Sequence, residues 1–169
     1  MIIAISGTPG TGKHTVAKAL ARKLKYQILD LNRVLGGGKT EREVTLREVN
    51  DAFQSLKQDN ALVVSHLSHF IKSNRISMII VLRTDPTILA RRLRKRGYKK
   101  AKIYDNAIFE AMNGTYAEAL RTKKRVFQID NTKNINRTVK KAMSAINGTG
   151  KSDAVDFSDK ILKIEKIFK

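Results

Sequence analysis

GTPGTGKHTV, running from Gly7 to Val16, decides how this chain folds. Its spacing fits the phosphate-cradling pattern G-x-x-x-x-G-K-[ST] at every fixed position but the last, where His14 replaces a hydroxyl. Before it stands MIIAIS, a short β-branched run that suits a buried parallel strand. After it, Val16, Ala17, Leu20, Ala21 and Leu24 recur at helical spacing from Lys13 onward. Strand, glycine loop and helix thus follow in the order that phosphate binding requires. In such a loop the backbone N–H groups point inward at a phosphate, and Gly7, Gly10 and Gly12 let the chain approach it closely. The positive end of the helix and the Lys13 ammonium complete the cradle. A turn that only joined strand to helix would leave Lys13 unexplained. At the start of a helix that lysine is expected to be exposed.

Further apolar runs predict strands at Gln27 to Leu31, Ala61 to Ser65, Met78 to Leu82 and Val126 to Ile129, and helical periods predict helices at Glu43 to Leu56, Pro86 to Arg96, Asp105 to Thr122 and Asn134 to Ile146. Alternation of the two argues for an α/β fold with a parallel sheet. Asp85 is placed to cap a helix whose first position is Pro86. Gly36 to Gly38 and the charged run Lys39 to Glu43 read as a mobile insertion, and GYKKAKIYDN from Gly97 as an irregular piece after a helix end. Near the C-terminus, Phe157, Ile161, Ile164 and Phe168 share one helical face, the pattern of a docking helix.

At 169 residues and 41% apolar content, a single domain spanning 1–169 is expected. Cysteine is absent from the sequence, which excludes a disulfide framework and thiolate metal sites. MIIAIS is too short for a signal peptide and no window approaches the roughly 20 apolar residues of a membrane span, so a soluble, cytoplasmic protein with no membrane contact is expected. Thirty-four Lys and Arg against 15 Asp and Glu give a net charge of +19, with a pI near 10.4. A polyanionic partner, a lysine-rich lineage habit and attraction of nucleotides each account for that excess. With 6% aromatic residues, contact with RNA would run through phosphates and not through base stacking.

The loop resembles that of adenylate kinases, G-x-P-G-x-G-K-G-T, in which glycine occupies the position of His14. VLRTDPTILARRLRKRGYKKAKIYDN is similar to the V-L-R-T-D…L-x-x-R-L-x-x-R-G-Y…D-N block of the adenylate kinase isoenzyme six family, the small adenylate-kinase-like ATPases of archaea and eukaryotes tied to small-ribosomal-subunit maturation. HLSHF, His66 to Phe70, looks like the archaeal form of that family's motif after the third strand, and Asp30-Leu31 and Arg33 extend the match over nearly the whole chain.

The resemblance implies a P-loop NTPase fold: a five-stranded parallel sheet with helices on both faces, an NMP-binding insertion about 30–53, a short lid about 98–109 and a docking helix about 157–168. It implies ATP and Mg²⁺ as cofactors, with Mg²⁺ held through nucleotide oxygens and waters and Thr15 the candidate direct ligand. Gly7, Gly10, Gly12, Lys13, His14, Thr15, Lys99 (or Lys100) and Lys133 would bind the donor nucleotide. Asp30, Arg33 and Arg83 would serve the acceptor, and Lys13, His66, Arg92 and Arg96 the transfer itself. His14 would either donate to a phosphate or face solvent. The family usually ends its third strand with Asp-x-His; here the stretch reads Val64-Ser65-His66, so the acid is missing and the histidine is kept. Asp30 and Asp85 are the candidate substitutes near the metal.

Three activities fit. The first is a nucleoside monophosphate kinase (ATP and AMP to two ADP) with ATPase activity in small-subunit maturation, whose partners would be its nucleotides, the small-subunit ribosomal protein of the S11 type and rRNA. The second is a catalytically weak, nucleotide-switched ribosome assembly factor, which the missing acid favours. The third is a small-metabolite P-loop kinase, which would share the loop but not the L-x-x-R-L-x-x-R-G-Y block.

Overall fold

Five short strands pair side by side in parallel, in the order β2-β3-β1-β4-β5. They are β1 (Ile2–Ser6), β2 (Gln27–Asp30), β3 (Ala61–Val64), β4 (Ile76–Arg83) and β5 (Val126–Asp130). This is a computed structural model, and it describes residues 1–36 and 44–168. β1 and β3 are buried along their whole length, as befits β-branched strands with helices on both faces. The chain leaves β1 toward β2 on one side and later fills β4 and β5 on the other. The loop after β1 therefore lies at the switch point where ligands of open α/β sheets collect.

On one face α1 (Lys13–Leu24) and α7 (Ile135–Ile146) cover Ile3, Ile5, Leu62, Val64, Ile80 and Ile129. On the other, α3 (Leu46–Gln54) and α6 (Gly114–Leu120) cover Ala4, Val63, Ile79 and Val81, with Phe53 fully buried. Truncating Phe53 to alanine would cost about 3–5 kcal/mol. A third apolar cluster joins α4 (Pro86–Lys95), α5 (Lys100–Ala111) and α8 (Ile161–Phe168) through Leu89, Leu93, Ile103, Ala107 and Ile164. The cap expected at Asp85 forms, and another that was not expected joins it. Asp85 accepts from the N–H groups of Thr87 (2.8 Å) and Ile88 (3.4 Å), and Thr45 with Glu48 forms a reciprocal capping box for α3. Outside the sheet, residues 152–153 run along β5, where the Asp153 N–H donates to Gln128 O at 3.0 Å and the Asp130 N–H donates to Asp153 Oδ2 at 3.0 Å.

Several expectations are corrected. The single helix read over Asp105 to Thr122 is two, because Asn113 adopts φ 60 and breaks it. GYKKAKIYDN is mostly helical: the chain is irregular only to Lys99, and α5 starts at Lys100. The docking segment begins as a 3₁₀ turn at Ser158–Lys160 before α8. Of the region read as a mobile insertion, residues 37–43 lie outside the described residues, and the flanks form a short α2 (Leu31–Val34) and α3. Among the described residues no helix is long and apolar enough to cross a membrane.

Candidate active site

The glycine loop has the shape its sequence demands. Gly7, Gly10 and Gly12 take φ of 138, 94 and 90. A Cβ on Gly7 would sit 2.5 Å from Leu82 O, and one on Gly12 would sit 2.6 Å from Asn131 Nδ2. Neither position admits a side chain. Lys13 is 5% exposed, so the expectation of an exposed lysine is wrong. The curl of the loop turns its side chain inward, where Nζ donates to Gly7 O at 2.6 Å and Thr8 O at 3.0 Å. Burial pushes its pKa down to about 7, against the opposing pull of Glu110.

Beside the loop lies a cavity of about 320 Å³ lined by Gly10, Gly12, Thr15, Arg92, Arg96, Lys133 and, unforeseen, Asn131. α4 supplies Arg92, and Arg96 is the residue that caps its C-terminal end, one turn further on. Arg92 is fixed by donating to Gly10 O (3.1 Å) and Thr132 O (3.2 Å). Asn131 Nδ2 donates to Thr11 O at 2.8 Å and ties the end of β5 to the loop. Lys99, by contrast, stands at the N-cap of α5.

On the other side of the loop, His14 is exposed to solvent and tied to Asp30, its Nε2 2.7 Å from Asp30 Oδ2. Asp30 Oδ1 meanwhile caps α2, accepting from the N–H groups of Asn32 (3.1 Å) and Arg33 (3.4 Å). Arg33 is exposed on α2. Val64 is fully buried, packed toward α1. Asp85, the other candidate acid, is occupied in capping α4. Among the described residues no three His, Cys, Asp or Glu side chains gather closely enough to hold a metal ion. The groups that could approach a Mg²⁺ carried on phosphate oxygens are the Asp30 carboxylate and the Thr15 hydroxyl, hard oxygen donors that suit that ion.

His66 follows β3, and burial, then Lys13 and Lys102, push its pKa down to about 4. It is a neutral imidazole near the lysine, able to orient water or accept a proton. Sequence reasoning missed its neighbour His69. That ring is buried, with Nδ1 2.7 Å from Ser6 Oγ and Nε2 3.1 Å from Glu118 Oε2.

Arg83 is corrected. It is 1% exposed and turned into the protein, donating from Nε to Glu110 Oε1 (2.7 Å) and from Nη1 to Gln128 Oε1 (3.1 Å), with its guanidinium 5.5 Å from the Phe157 ring. With its donors committed internally, it braces the end of β4 and is not presented to an acceptor.

Residues 3–121 match the family model described as AAA domain. The chain is 38% identical over 139 residues to "Putative adenylate kinase" of Thermococcus kodakarensis, covering 78% of this chain and 77% of that protein. It is 37% identical over 159 residues to the protein of the same name from Pyrococcus abyssi, covering 90% and 85%. The chain belongs to the adenylate-kinase-like family. In fold it is similar to shikimate kinase from Bacteroides thetaiotaomicron (TM-score 0.65, 19% identity, 87% of this chain and 98% of that one). It is also similar to deoxyadenosine kinase from M. mycoides with bound dATP (TM-score 0.61, 17% identity, 87% and 100%). These likenesses establish an α/β P-loop NTPase fold for the family member described here.

Proposed function

We propose that this chain is an ATP-dependent nucleoside monophosphate kinase of the adenylate kinase isoenzyme six type, with ATPase activity. One observation carries the reading. Lys13 lies between a cationic cavity on the β5 side of the loop, lined by Arg92, Arg96 and Lys133, and the Asp30–Arg33 segment on the β2 side. Cationic side chains therefore stand on both sides of the loop, Arg92, Arg96 and Lys133 on one and Arg33 on the other, an arrangement that suits transfer between two nucleotides. In the reaction an acceptor phosphate oxygen bonds to the γ-phosphorus of ATP while the bond to the β–γ bridging oxygen breaks. Lys13 neutralises the β- and γ-oxygens, Arg92 and Arg96 the developing charge, and Arg33 holds the acceptor phosphate. Mg²⁺, when bound with ATP, screens the β- and γ-phosphates. His66 orients the acceptor or water. Residues 30–53 act as the NMP-binding insertion, and 98–109, largely α5, as the lid.

The family resemblance and the net charge of +19 support a place in small-subunit maturation beside the S11-type ribosomal protein and rRNA. Val64 favours a second reading, a nucleotide-switched assembly factor with slow chemistry. Turnover of Mg²⁺-ATP with AMP, without AMP, and with the ribosomal partner separates them. With AMP, ADP formed in excess of released phosphate identifies the kinase; without it, ADP matched by phosphate identifies the ATPase; ATP binding with neither ADP nor phosphate release identifies the switch.

A further inference from the structure

We infer that Glu110, a carboxylate inside α5, is a positioning residue for the phosphate loop: it pins the loop through Thr8 and ties it to α5 and to the end of β4. The inference rests on the reading of Lys13 as the phosphate-binding cation.

Glu110 is 1% exposed, yet each carboxylate oxygen has a partner. Oε1 accepts from Arg83 Nε at 2.7 Å and from the Thr84 N–H at 3.0 Å. Oε2 accepts from the Thr8 hydroxyl. Thr8 is the second residue of the glycine loop, 1% exposed, and its own carbonyl receives the Lys13 ammonium at 3.0 Å. A continuous chain of polar contacts therefore runs from Lys13 through Thr8 to Glu110 and on to Arg83, linking the loop, α5 and the end of β4. Arg83 also donates to the Glu110 carbonyl at 2.7 Å, so the helix backbone is held too.

A buried arginine needs one anion, and Glu110 meets that need through Oε1 alone. Oε2 is left over and is spent on the loop. Because Glu110 belongs to α5, the helix that makes up most of the 98–109 segment, the same contact registers the position of that helix against the loop.

The test is a double-mutant comparison of Thr8→Val, Glu110→Gln and the two combined, with calorimetry reporting the affinity for ATP and thermal unfolding the fold. Thr8→Val should weaken ATP binding about tenfold, Thr8→Ser should restore it, and adding Glu110→Gln to Thr8→Val should cost little further affinity, because the contact is already gone. If Glu110→Gln leaves Arg83 stranded and the protein does not fold, Arg83→Met with Glu110→Gln removes both buried charges and takes its place. A lower Tm with unchanged ATP affinity, or losses of affinity that add in the double variant, would overturn the inference and leave Glu110 a structural brace. Failure of the wild type to bind ATP would instead remove the kinase reading, and amide hydrogen exchange of residues 7–12, faster in Thr8→Val than in wild type, would still decide the role of Glu110.

Discussion

Asp30 and Val64 are register partners in the parallel pairing of β2 with β3, side by side at the carboxyl ends of adjacent strands. Both face α1: Asp30 reaches His14, and Val64 packs with Val16 and Leu20. An acid thus stands one strand over from Val64, about 4.8 Å away.

Val64→Asp tests whether the valine holds the lost place. The substitution buries a second acid beside Asp30, so the ligand-free protein should lose a few kcal/mol in denaturant titration. Mg²⁺-ATP should restore it, and Mg²⁺-dependent transfer should rise about tenfold, or about 1.4 kcal/mol in the barrier. Loss of stability with no Mg²⁺-dependent gain would make Val64 ordinary core.

Asp30→Asn separates the two duties of that side chain. Asparagine caps a helix as well as aspartate does, so stability should change by less than about 1 kcal/mol. Mg²⁺-dependent turnover should fall about tenfold or more, because the charge is gone. Equal turnover at saturating Mg²⁺ would leave Asp30 a cap and a tether for His14.

Lys13→Met should abolish measurable ATP affinity in calorimetry and make the ligand-free protein more stable at neutral pH. Lys13 holds its proton less tightly when folded, its pKa falling from 10.5 to about 7. The folded state therefore binds fewer protons between those values, and wild-type stability rises as pH climbs from 7 to 10.5. The methionine variant should lack that rise. A slope retained in Lys13→Met would show that other groups cause it.

His66 and His69 both titrate near 4 when folded, against 6.5 when free, mainly because of burial. Stability they support above pH 6.5 is lost as pH falls toward 4, by up to roughly 3 kcal/mol for each. His66→Ala should lower kcat far more than ATP affinity, whereas His69→Ala should chiefly lower Tm, since it removes a buried ring that bridges Ser6 and Glu118. Should the KM for ATP rise in His66→Ala with kcat intact, the role given to His66 fails.

The strands, the loop and the Asp85 cap were legible because each is written in neighbouring residues: β-branched runs, glycines at fixed offsets, Asp85 before Pro86. Arg92, Arg96 and Lys133 converge on one cavity although Lys133 is 41 residues beyond Arg92 in the sequence. Glu110 and His69 were not legible. A single acid in an amphipathic helix reads as solvated, and only the packing of α5 against the loop reveals that it is buried. Arg83 was misplaced for the same reason, since a basic residue at a strand end gives no local sign of an acid 27 residues later. The break at Asn113 escaped notice because the apolar periodicity continues across it.

Beyond the site, the strap at residues 152–153 bears on how copies of this protein coexist in solution. β5 is an outer strand, and an outer strand's unpaired backbone is a template for another chain. Here Gln128 and Asp130 already have their backbone groups engaged by Ser152 and Asp153 of the same molecule. Asp153 also draws Lys141 and Arg137 of α7 toward that border. The border is thereby both occupied and charged, so at β5 the sheet ends where its own chain ends it, and that edge is guarded against strand-to-strand self-association.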